Sequence, residues 1–249
     1  METPRILFVH GAASDERVWD PVIALLPPTW DVRAVTLSYF GDGDWRDDGA
    51  GFGTDIHARD VCEMAASMGG DVHLVGWSYA VHVMLKALLD APALFASALF
   101  YEAGLGQYII DEDEKAAFGK DAGSLFGAVG AKLESEGPHA SVRQLVGAAF
   151  ARLAPHRQEM YLSNARTMPL LMGGGQPPAK IGPAELARIE TPCLVAMGER
   201  TRPAFSIPSR ALASALPNCS LEIVPDADHF LPETGPGMFA ALVEEWIDR

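Results

Sequence analysis

Cysteine is scarce in this chain. Cys62, Cys193 and Cys219 are the only thiols in 249 residues, an odd number with no C-x-x-C pair. That excludes a disulfide scaffold and predicts buried free thiols in a reducing compartment. Basic side chains are also few: 19 Lys and Arg stand against 33 Asp and Glu, a formal net charge of −14. Nucleic acid and anionic membranes both attract basic surfaces, so neither is an expected partner. No segment approaches the roughly 18 continuous apolar residues that span a bilayer. Met1-Glu2-Thr3-Pro4-Arg5 has no basic region leading into a long apolar run, and Ile6 to Val9 is too short for a secretory signal. A cytoplasmic protein is expected. His57, His73, His139 and His156 stand at no metal-ligand spacing from Cys, Asp or Glu. Gly173-Gly174-Gly175 lacks the Lys-Ser/Thr of a phosphate loop and follows no strand, so it reads as a hinge. Neither a metal nor a cofactor is expected.

What the chain does have is apolar residues, 49% of the total, which excludes disorder. The length suits one domain, with or without an inserted subdomain. Strand patterns run at Arg5–Val9, Asp31–Ser38, Asp71–Trp77, Ser97–Tyr101, Pro192–Met197 and Leu221–Val224. Helical patterns separate them at Trp19–Leu26, Thr54–Met68, Val81–Leu89, Pro208–Leu216 and Gly237–Ile247. Between the fourth and fifth strands the pattern is helical alone. Pieces at Glu112–Lys120, Ser124–Ser135, Ser141–Ala154 and His156–Leu171 are punctuated by Gly123, Gly137-Pro138 and Pro155. The acidic run Asp111–Glu114 reads as a solvated helix start. Strands alternating with helices predict an α/β fold, a mostly parallel sheet of about six strands with helices on both faces.

The stretch Gly76-Trp77-Ser78-Tyr79-Ala80 joins a buried strand directly to a helix. Such a turn strains its central residue and needs small neighbours two positions either side, where backbones nearly touch. Gly76 and Ala80 supply them, leaving the Ser78 hydroxyl exposed at the tip, as a nucleophile elbow requires. In a parallel sheet ligands bind beyond the carboxyl ends of the strands. His10-Gly11, Ser78, Glu102, Glu199 and His229 all follow strands, so the fold is expected to gather them at one edge.

These residues resemble the α/β-hydrolase fold family. Phe8-Val9-His10-Gly11 matches its first-strand loop, Gly76-x-Ser78-x-Ala80 its elbow and Asp228-His229-Phe230 its late histidine, in the family's order. The resemblance implies a core of residues 1–103 and 188–249 with a helical cap, 104–187, inserted in it. It also implies that two strands usual before Arg5–Val9 are missing. Ser78 would be the nucleophile and His229 its base, since a serine hydroxyl needs one at neutral pH. The backbone N–H groups of Ala12 and Tyr79 would form the oxyanion hole. Gly11 and Ala12 have little side chain to obstruct a substrate, which Gly11 and Ala13 would meet. His10 is expected to be structural, and His82 a packed histidine beneath the site.

The acid is less direct. Relatives carry Asp in a Gly-Glu-x-Asp pattern after the penultimate strand, but here Gly198-Glu199-Arg200-Thr201 places Thr201 there. Glu102, ending the strand after the elbow helix, resembles the arrangement of some dehalogenases and lactonases and is the first choice. Glu199 is its main rival, followed by Asp226 and Asp228 in the loop of His229. The expected activity is cofactor-independent hydrolysis of a small or medium, largely apolar ester or lactone, through an acyl-enzyme. Met160, Met168, Leu170, Leu171 and Met172 would line the pocket or form the cap's own core. A lyase using the same triad, or a ligand-binding protein on a hydrolase scaffold, remain alternatives. The expected partner is a small molecule, with the protein a monomer or homodimer.

Overall fold

The computed structural model describes residues 3–45 and 47–249. Its strands are β1 (Arg5–Val9), β2 (Asp31–Val35), β3 (Val72–Trp77), β4 (Phe95–Tyr101), β5 (Cys193–Gly198) and β6 (Cys219–Val224). All pair in parallel, in the order β2-β1-β3-β4-β5-β6. Parallel strands buried on both faces read as continuous apolar runs, which is why Ile6-Leu7-Phe8-Val9 was legible. Side-chain alternation sends Leu7 and Val9 into one core and Ile6 and Phe8 into the other.

The first core is closed by α1 (Thr54–Ser67) and α2 (Tyr79–Asp90), through Val61, Val81 and Leu85. The second is closed by Trp19 and by the last helix, through Phe239 and Val243. The order of strand addition reverses at β1, which lies between β2 and β3. Loops leaving β1 and β3 therefore diverge to opposite faces and open a crevice at their carboxyl ends.

Between β4 and β5 the described residues form no strand. They form α3 (Glu112–Glu136), α4 (Pro138–Val146) and α5 (Pro155–Ser163), with 3-10 segments at Gly147–Arg152 and Asn164–Thr167. After β5 come α6 (Pro203–Ala215) and, after β6, α7 (Pro236–Ile247). No helix among the described residues is long and apolar enough to cross a membrane.

The sequence predicted two helices where α3 runs unbroken. Gly123 costs the helix only about 1 kcal/mol against alanine. The Asp111 carboxylate accepts from the Glu114 N–H at 2.9 Å, and acidic residues fill the first turn, offsetting that cost. Gly137 (φ 86°) followed by Pro138 does end the helix. The predicted helix 141–154 stops at Gly147 (φ 62°), and the one starting at His156 tightens after Ser163. Gly173–Gly175, expected as a hinge, is a tight turn held against the 49–53 loop. Gln176 N–H donates to Phe52 O at 2.8 Å, and a Cβ on Gly175 would stand 2.7 Å from the Phe52 ring.

Polar anchors tie this helical stretch down. The buried side chains of Arg157 and Glu233 pair at 2.7 Å, and Arg157 also donates to Val18 O at 2.9 Å. Asn164 donates to the Asp15 carboxylate at 2.6 Å and accepts from Gly41 N–H at 2.7 Å.

Candidate active site

The turn after β3 is as tight as its sequence implied. A Cβ on Gly76 would lie 2.1 Å from the Met84 sulfur and 3.0 Å from the Ala80 methyl. Ser78 itself sits at φ 61°, ψ −114°, at the N-cap of α2. Such left-handed geometry costs a non-glycine residue about 1–3 kcal/mol. Ser78 N–H donates to Tyr101 O at 2.9 Å, fastening the turn to the end of β4.

Glu102 follows β4 directly and is also left-handed, at φ 56°. Its side chain is fully buried. An unpaired carboxylate would be costly there, but this one accepts three hydrogen bonds. Gly198 N–H reaches Oε1 at 2.8 Å, while Thr201 Oγ1 and His229 Nδ1 each donate to Oε2 at 2.7 Å. With Nδ1 donating, the lone pair of His229 lies on Nε2, which stands 3.2 Å from Ser78 Oγ. The loop of His229 is pinned by Tyr101, whose hydroxyl donates to Asp228 O at 2.7 Å. It also lies so close to β5 that a Cβ on Gly198 would sit 2.3 Å from Ala227 O. Phe205 lies flat against the imidazole, centroids 3.6 Å apart and planes 7° apart.

The other carboxylates point elsewhere. Glu199 accepts from Asp226 N–H at 3.1 Å, Asp226 pairs with Arg200 in solvent, and Asp228 accepts from Phe230 N–H at 2.9 Å. None of the three bonds His229.

Ala12 and Tyr79 both line the cavity above Ser78, and neither backbone N–H has an acceptor among the described residues. Gly11 and Ala13, expected to meet substrate, do not line it. Gly11 packs on Trp77, where a Cβ would stand 3.3 Å from the indole, and Ala13 is fully buried in the second core at φ 53°. His10 holds this loop from below. Its Nδ1–H donates to Gly11 O at 2.8 Å, and Nε2 accepts from Leu37 N–H at 3.1 Å. Burial pushes its pKa down to about 4.

His57 supports the other side of the crevice. It accepts from the Tyr79 hydroxyl at 2.8 Å and donates to Ser38 O at 2.9 Å, and burial lowers its pKa to about 3. His82 is likewise a packed histidine, held by the Tyr108 hydroxyl and Ala179 O, with its pKa lowered by burial to about 4.

The cavity measures about 880 Å³, at the upper end of small-molecule sites. Ser78 and His229 form part of its wall, and Met168, Leu170, Leu171 and Met172 line it, whereas Met160 is buried in the second core. Among the described residues, no three His, Cys, Asp or Glu side chains converge to hold a metal. Sequence reasoning missed Thr201 as a donor, His57 behind Tyr79 and Phe205 on His229. The position of Thr201 was the one available signal, because the residue there lies against the Glu102 carboxylate.

Residues 6–242 match the alpha/beta hydrolase family, and the chain belongs to it. No curated protein matches the sequence. Among solved structures, a thermophilic esterase from Thermogutta terrifontis is 18% identical, with a TM-score of 0.74 over 99% of this chain and 91% of its own. The esterase RhEst1 from Rhodococcus sp. ECU1013 is 20% identical, with a TM-score of 0.75 over 99% and 90%. Est816, described as an N-acyl homoserine lactone degrading enzyme, is 21% identical, with a TM-score of 0.64 over 98% and 93%. At these identities the likeness speaks for the fold, a six-stranded member of a hydrolase family.

Proposed function

We propose that this protein is a serine hydrolase that cleaves a largely apolar carboxylic ester or lactone, with Ser78, His229 and Glu102 as its triad. One observation carries the reading: an unbroken hydrogen-bond chain from a fully buried carboxylate through His229 to a strained serine at the wall of a large cavity. Glu102 holds the imidazole with Nε2 facing Ser78, so His229 takes the serine proton as Oγ attacks the carbonyl. The N–H groups of Ala12 and Tyr79 receive the oxyanion. The imidazolium then protonates the leaving alcohol, leaving an acyl-enzyme. Water, deprotonated by the same imidazole, adds to the acyl carbon, and collapse releases the acid and restores Ser78.

Residues 104–187 act as a cap over a core made of 1–103 and 188–249. The apolar side chains it adds to the cavity favour an apolar acyl or alcohol group. The reading is tested by treating the protein with a fluorophosphonate, locating the adduct by mass spectrometry, and assaying p-nitrophenyl esters of rising acyl length. An adduct on Ser78 with ester turnover supports it. A folded protein that takes no label is a binding protein on the hydrolase scaffold instead.

A further inference from the structure

The stretch from the end of β5 into the first turn of α6 gives His229 no carboxylate, yet it touches both Glu102 and His229. Thr201 bonds the carboxylate, and four residues later Phe205 covers one face of the imidazole. A centred, parallel stack of two neutral rings is electrostatically poor, because aromatic faces repel and prefer offset or edge contacts. The same stack favours a cation, since positive charge above an aromatic face is attracted by its quadrupole. The geometry therefore discriminates between imidazole and imidazolium, and the imidazolium is the form that develops as the serine proton is lost. Interactions that strengthen in the transition state are the ones that accelerate the chemical step.

The ring is held from behind by the helical insert. Phe205 belongs to a small apolar cluster of its own, with Ala122 and Ala204 at its centre and Phe118, Leu125 and Phe126 of α3 packed against it. Asp121, on the same helix, accepts two hydrogen bonds from Arg202 at 2.8 Å each and a third from Ala204 N–H at 2.8 Å. A helix N-terminus is thus fixed to the insert one residue before the ring that backs His229. Glu102 bonds Nδ1 of the imidazole, and Asp228, Arg152, Arg200 and Arg202 line the same cavity. Arg202 is neutralised by Asp121 and Arg200 by Asp226.

We infer that Phe205 is a positioning residue that stabilises the imidazolium of His229, and that Asp121 on the insert holds it in place. This rests on the triad proposed above. F205L keeps apolar bulk and removes the aromatic face, F205Y keeps the face, and D121N removes the charge that grips Arg202. Each is compared with wild type in ester kcat, KM and the pH profile of kcat/KM. In F205L, kcat is expected to fall about tenfold with KM within about twofold, and the acidic limb to move down by roughly half a pH unit or more. F205Y should keep the wild-type limb, and D121N should move it in the same direction by less.

An F205L or D121N profile that coincides with wild type overturns the proposal. So does an F205Y profile that shifts as far as that of F205L. Should F205L fail to fold, F205Y and D121N decide the matter on the same criteria. Fluorophosphonate labelling of the wild-type protein separates the two readings. Without label on Ser78 the triad itself fails, whereas label on Ser78 with an unmoved F205L profile sinks only the role of Phe205.

Discussion

Replacing Glu102 by glutamine tests the assignment of the acid most directly, because the structure leaves the amide no good orientation. Both carboxylate oxygens accept: Oε1 from Gly198 N–H, and Oε2 from Thr201 and His229. An amide has one accepting and one donating end. If its NH₂ faces His229, the imidazole must give up its Nδ1 proton and carry it on Nε2, where it cannot accept from Ser78. If its NH₂ faces Gly198, two N–H donors are pressed together in a site with no exposure to water. The first outcome is the wrong tautomer, which in a comparable triad lowers kcat about 10⁴-fold, or about 5.4 kcal/mol of transition-state stabilisation. The second leaves a buried donor unmet, at about 1–3 kcal/mol of fold stability. We therefore expect Glu102→Gln to lose about three to four orders of magnitude in p-nitrophenyl ester turnover while keeping native circular dichroism. Its urea midpoint should fall modestly. Glu199→Gln and Asp226→Asn, measured beside it, should stay within about threefold of wild type, since neither side chain bonds the histidine. Turnover above a tenth of wild type in Glu102→Gln, with loss in Glu199→Gln, would refute the argument and move the acid to the loop after β5.

Ser78→Ala should abolish ester turnover by several orders of magnitude and leave stability at least equal to wild type, read by stopped kinetics and thermal melts. Because Thr201 Oγ1 lies 2.7 Å from Glu102 Oε2, a carboxylate at position 201 should reach the same imidazole. Glu102→Ala combined with Thr201→Asp is thus expected to recover at least tenfold over Glu102→Ala alone, and a double variant no better than the single one would deny that reach. Stability should depend on pH through the buried histidines. His10, His57 and His82 have pKa values lowered by burial to about 4, 3 and 4, below the ordinary 6.5. The unfolded chain binds their protons first, so their contribution is complete above about pH 6.5 and is lost progressively as pH falls toward 4. Urea midpoints should decline over that window, and midpoints flat between pH 7 and 4.5 would contradict it.

The parts of this fold that were legible were those whose signal is local. Ile6–Val9 and Val72–Trp77 are apolar runs with no other plausible use, and Gly76-x-Ser78-x-Ala80 is a steric requirement written in small residues. Glu102 was the first choice because Thr201 cannot carry charge and some relatives resemble this arrangement, and the structure places its carboxylate against His229. The helical insert was read less well. Gly123 signals a break in the sequence, but packing along α3 outweighs a propensity cost of about 1 kcal/mol. The start of α6 was placed at Pro208, whereas Pro203 takes the first helical position, which proline tolerates, and the helix runs on through Pro208. That difference in the helix start left Phe205 outside every predicted element. Gly11 and Ala13 are expected at the substrate, but which way a loop residue faces is settled by tertiary contacts such as Trp77 against Gly11.

The hydrogen bonds that join the three candidate catalytic residues close very long spans of chain. Glu102 and His229 are 127 residues apart, and Ser78 and His229 are 151 apart. Contacts of that separation carry a high loop-closure cost. The histidine, moreover, arrives on a loop that follows β6, the outermost strand. Every group that bonds the Glu102 carboxylate comes from residues 198–229, so on the proposed reading the triad is complete only once the last strand has docked.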